Sequence, residues 1–162
     1  MIETTLTAEP SKQEVVITRV FEAPLDLVFK VVTDPAQIPN WWGPRELTTT
    51  VDEMDVQAGG KWRFLHTDPD GNHFGFHGVY HEVDSPKRIV QTFEFEGMPG
   101  HVVLETGTFE ALPGGKTKLT SVSVFQSIED RDGMVASGME RGTKESSERL
   151  DELLTSMLSK KA

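Results

Sequence analysis

The clearest hydrophobic pattern lies near the C-terminus. From Val135 the apolar or small positions run Val135, Met139, Gly142, Ser146, Leu150, Leu153, Leu154 and Met157. Those steps of three and four are the period of one helical face. The opposite face carries Glu140 with Lys144 and Glu145 with Arg149, both acid-before-base pairs at i,i+4. The spacing predicts one long helix over 135–158, broken or bent near its start, about 36 Å in length. A helix of that length with a one-sided stripe needs a broad apolar surface to lie on.

The preceding chain supplies strands. Residues 14–21 (EVVITRVF) are β-branched and read as a strand. Pro24 opens a short amphipathic helix in which Leu25, Val28, Phe29 and Val32 share a face. Asp34-Pro35 stops it and caps a second, very short helix through Ile38, which Pro39 ends. Trp41-Trp42-Gly43-Pro44 then places two large aromatics on a rigid corner. From Glu46 to Gln126 the period is that of strands, punctuated by Ala58-Gly59-Gly60, Asp68-Pro69-Asp70-Gly71, Asp84-Ser85-Pro86, Gly97-Met98-Pro99-Gly100 and Pro113-Gly114-Gly115. The expected order is β-α-α-β×6-α, an α+β fold in which a curved seven-stranded antiparallel sheet wraps the long helix. Residues 1–13 are expected to be a loose segment, and 14–160 one domain.

Composition narrows the function. Lys and Arg total 16 against 26 Asp and Glu, a net charge of −10. That excess opposes nucleic-acid binding and adsorption to anionic membranes. No run is long and apolar enough for a membrane span, and the first residues do not read as a signal peptide, so a cytoplasmic protein is expected. Cysteine is absent, which removes disulfides and thiolate ligands.

Candidate chemistry is sparse. His73, His77 and His81 have helical ligand spacing but fall on a strand, where i to i+4 spans about 13 Å. His66 and His73 would face each other across the Asp68–Gly71 hairpin in a simple register, but they offer two ligands and no third. We therefore expect no metal and no cofactor. Gly114-Gly115-Lys116-Thr117 lacks the earlier glycine of a phosphate loop and lies between strands. No nucleophile elbow is present, and no catalytic residue is nominated. Glu105 and Glu110 lie on opposite faces of one strand, so only one can point inward.

Several stretches, taken in order, resemble a known family. They are Val20 to Pro35 (VFEAPLDLVFKVVTDP), the Trp-Trp-Gly-Pro corner, Ala58-Gly59-Gly60 before an aromatic strand, and Asp70-Gly71. Gly78-Val79-Tyr80, Pro86 to Val90, Gly114 to Thr120 and the tail from Gly138 to Leu154 complete the set. Together they resemble the SRPBCC or START-like (helix-grip) superfamily, and within it the family named after the activator of the heat shock protein 90 ATPase. The resemblance implies a helix-grip fold and a small apolar or aromatic molecule as ligand. A chaperone is the alternative partner that the family implies. Its activating motif belongs to an additional N-terminal domain, and nothing like that domain precedes Val15. A third reading is a cyclase- or hydrolase-like enzyme.

The aromatic strands and the Met- and Gly-bearing helix locate the expected ligand site. An enclosed apolar cavity is expected between sheet and helix, bordered by some of Trp42, Trp62, Phe76, Phe93, Val135 and Met139, with its entrance near the short helices. Gly78, Gly138 and Gly142 are expected to leave room for it. A carrier should show such a cavity; an enzyme should add a titratable group at the cavity floor.

Overall fold

The computed structural model describes residues 4–160. Its elements are β1 (Thr4–Thr7), β2 (Glu14–Phe21), α1 (Leu25–Val32), α2 (Ile38–Trp41), β3 (Thr48–Met54), β4 (Lys61–Thr67), β5 (His73–Asp84), β6 (Arg88–Phe95), β7 (Val102–Leu112), β8 (Lys116–Val124), α3 (Ile128–Ala136) and α4 (Met139–Lys160). One antiparallel sheet holds all eight strands in the order β1-β2-β8-β7-β6-β5-β4-β3. The eighth strand comes from the segment expected to be loose. Thr4–Thr7 pair with Val16–Arg19 of β2 and cover an edge that would otherwise expose unpaired backbone.

The single C-terminal helix of the sequence pattern is two helices. Gly138, at φ 96°, takes a left-handed conformation that glycine adopts without steric cost, and the chain turns there between α3 and α4. α2 also differs from expectation. It starts at Ile38 rather than ending there, because Pro39 occupies the first turn, where its missing N–H costs nothing.

The concave face buries two apolar clusters. Phe21, Val28, Phe29, Ile38, Phe109 and Leu150 belong to one, beneath α1, α2 and the C-terminal half of α4. Val15, Val103 and Phe125 form the other, with Met134, Val135 and Met139 packed on it from the α3–α4 junction. The backbone of α4 comes closest to α2, α3, α1 and edge strand β1, and stands farther from the central strands. The helix therefore bridges the sheet rather than lying flat on it. Among the described residues no helix is long and apolar enough to cross a membrane.

Candidate functional site

A cavity of about 480 Å³ occupies the space under that bridge. It lies between the sheet and α4, bordered by members of both core clusters, and is partly open to solvent rather than sealed. Of the six residues named from the sequence, Trp42, Phe76, Phe93 and Met139 line it. Trp62 and Val135 do not. The Trp62 indole is 1% exposed and donates its N–H to the Thr92 carbonyl at 3.2 Å, so its bulk fills the core. Val135 lies on α3, before the Gly138 turn, and packs against Val15, Val103 and Phe125.

The glycines divide in the same way. A side chain at Gly142 would meet nothing within 4 Å, so this helical glycine does open space. Gly78 does the opposite of what was expected. A Cβ there would lie 1.9 Å from the Thr92 carbonyl oxygen and 2.6 Å from the Trp62 indole nitrogen. It is the close approach of strands and indole, not a void, that requires glycine. Gly138 serves the helix break.

The Trp-Trp corner is fixed by α4. Arg149 donates to the carbonyls of Gly43 at 2.9 Å, Pro39 at 3.2 Å, Trp42 at 3.4 Å and Pro44 at 3.5 Å. These are oxygens at the end of α2 and just beyond it, where helical partners run out. Ser146 donates to the Trp41 carbonyl at 3.1 Å and accepts from the Gly43 N–H at 3.3 Å. The expected Glu145–Arg149 pair is therefore not made. Glu145 instead accepts from Arg141 at 2.7 Å and from the Arg45 backbone at 3.0 Å. The corner so held lets Trp42 meet Phe64, His66 and Phe76 at ring separations of 5.0, 4.8 and 5.4 Å.

Polar groups are few and placed. The strand register sets Glu105 of β7 opposite Gln91 of β6 on one side and Ser123 of β8 on the other. All three line the cavity, forming a polar row across its sheet floor. Ser123 Oγ donates to Glu105 Oε2 at 3.3 Å. Protein surrounds the Glu105 carboxyl, and what exposure it has is toward the cavity. Burial pushes its pKa up to about 7, and the Ser123 hydrogen bond offsets only part of that. Glu105 is thus the inward member of the Glu105/Glu110 pair. Alternation showed that at most one of them could point inward, but not which.

His66 also lines the cavity, and burial with the nearby Arg149 charge lowers its pKa to about 4. It is not opposite His73. The register pairs His66 with Phe74 and Thr67 with His73, which puts the two imidazoles on opposite faces. Among the described residues no group of three or more His, Asp or Glu is arranged to hold a metal ion. Arg19 Nε, Trp41 Nε1 and His66 Nε2 are the buried side-chain atoms without a hydrogen-bond partner among the described residues, and all three belong to cavity-lining residues.

Comparison with known proteins gives a family and a fold. The family model described as "Activator of Hsp90 ATPase homolog 1-like protein" matches residues 22–155. No curated protein matches. Among solved structures, protein Ms6760 from Mycobacterium smegmatis is 26% identical with a TM-score of 0.84, over 94% of this chain and 97% of its own. A protein from Arthrobacter aurescens is 26% identical at 0.86, over 94% and 91%. One from Rhodobacter sphaeroides is 25% identical at 0.86, over 96% and 99%.

Proposed function

The chain belongs to the Activator of Hsp90 ATPase homolog 1-like family, and from that premise we propose that it binds a small apolar or aromatic molecule between its sheet and α4. Proteins of this fold commonly bind hydrophobic ligands. The observation that carries the reading is the cavity of about 480 Å³ between the two halves of the core, walled mainly by apolar side chains, many of them aromatic. Its volume falls within the range of small-molecule sites, roughly 300–1,000 Å³, which are apolar with a few placed polar groups. A protein without a ligand to hold would be more stable with that space filled.

The apolar dye N-phenyl-1-naphthylamine should bind with roughly micromolar affinity and quench tryptophan fluorescence, since Trp42 lines the cavity. Gly142→Phe should abolish the quenching and leave the circular dichroism unchanged, because it fills open space beside the cavity. Equal dye binding by the variant would contradict the reading. Glu105 supports a second reading, proton transfer to a bound molecule, since it is the titratable group at the floor that an enzyme would need. Binding ranks first because Ser123 is the one side-chain hydrogen-bond partner of that carboxyl among the described residues, so no second titratable group is coupled to it.

A further inference from the structure

The polar row on the cavity floor has a chemistry of its own. Gln91, Glu105 and Ser123 sit side by side on three adjacent strands, all facing the same space. Among the described lining residues Glu105 is the one carboxylate. The other titratable or charged groups facing the cavity are Arg19 from β2, His66 from β4 and Tyr80 from β5; α4 contributes Met139, Gly142, Thr143, Ser146, Ser147 and Leu150, none of them charged. Ser123 spends its hydroxyl proton on Glu105 Oε2, which leaves Glu105 Oε1 as the free end of the carboxyl.

From this juxtaposition we infer that the ligand is an aromatic or alicyclic molecule bearing a neutral oxygen acceptor, such as a ketone, which Glu105 holds by a hydrogen bond while Ser123 fixes the carboxyl's orientation. The inference rests on the cavity being a ligand site and specifies what that site reads. A carboxyl in an apolar pocket favours its neutral form, and burial already pushes Glu105 up to about 7, so an O–H donor is present at neutral pH. An acceptor oxygen on the ligand completes that donor, whereas a hydrocarbon leaves it unpaired at a cost. A cationic amine would have to give up its hydration in an apolar site whose carboxyl burial favours in the neutral form, so it is the poorer partner. Gln91, opposite Glu105, adds an amide that can donate to the same oxygen.

Three probes of matched shape separate the possibilities: 2-acetylnaphthalene, 2-isopropylnaphthalene and 1-(2-naphthyl)ethylamine, titrated by calorimetry at pH 6 and pH 9. The ketone should bind about tenfold more tightly than the hydrocarbon at pH 6, and that advantage should shrink at pH 9 as the carboxyl ionises. Glu105→Leu should remove the advantage, weakening the ketone and lifting the cost to the hydrocarbon; Glu105→Gln, which retains a donor, should keep part of it. Equal binding of ketone and hydrocarbon to the wild-type protein would overturn the inference and leave the cavity reading standing. Preference for the amine would overturn it in favour of a charged pair. No binding of any probe would overturn the cavity reading as well.

Discussion

Two buried titratable residues act on stability in opposite directions. Glu105 has a folded pKa near 7 against an ordinary 4.5, so between those values the folded state keeps a proton that the unfolded chain has lost. Stability therefore falls as pH rises through that window. His66 has a folded pKa near 4 against 6.5, so the unfolded chain takes up a proton that the folded state refuses, and stability is lost as pH falls from 6.5 towards 4. Each slope is at most about 1.4 kcal/mol per pH unit, and where the windows overlap they oppose each other. Glu105→Gln should raise Tm more at pH 8 than at pH 5. His66→Phe, which replaces one ring by another between Trp42 and Phe76, should raise Tm more at pH 5 than at pH 8. A Tm difference that does not vary with pH would mean that the group is not desolvated. At this scale the sequence made faces legible but not roles. Alternation gave Trp62, Phe64 and His66 one face, and all three are inward and buried. It did not say that Trp62 spends its indole N–H on Thr92 and so leaves the cavity wall to its neighbours.

The elements were largely readable, and the misreadings have physical causes. β2 has the expected bounds, and β4 and β6 fall between the expected turns, because turn residues close their ends. β1 was missed because TTLT is too short and polar to signal a strand; its stability comes from the β2 edge it pairs with. The α3–α4 break was legible as a break or bend near the helix start but not by position, since Gly133, Gly138 and Gly142 each weaken a helix and only the fold selects Gly138 as the turn. Arg149 was assigned to a solvated ion pair, but tertiary structure gives it four carbonyls instead. Arg149→Met should therefore cost about 2–4 kcal/mol, because those oxygens lose their donor, and the loss should appear as a lower denaturant midpoint with an unchanged slope. A cost below about 0.5 kcal/mol, the level of an exposed i,i+4 pair, would contradict the clamp.

At the scale of the molecule, the cavity follows from how α4 is suspended. Leu150 and Leu154 anchor its C-terminal half in one cluster, Met139 rests on the other, and Gly142 lies between with nothing within reach of an added side chain. A second cavity, about 360 Å³, opens on the other side of a wall that includes Phe93, Val103, Phe125 and Met134, towards Met98 and α3. The sequence suggested a space between sheet and helix, but not that the space divides into two, which depends on the path the chain takes at Gly138. The methionines report which side a ligand occupies. Met54 and Met139 line the first cavity, Met98 the second, Met134 both, and Met157 packs in the C-terminal core. The most direct test is a methyl NMR titration of Met-methyl-labelled protein with 2-acetylnaphthalene. The Met54 and Met139 methyl signals should shift together and saturate while those of Met98 and Met157 hold still; movement of Met98 alone, or no saturable shift at Met139, would contradict binding between the sheet and α4.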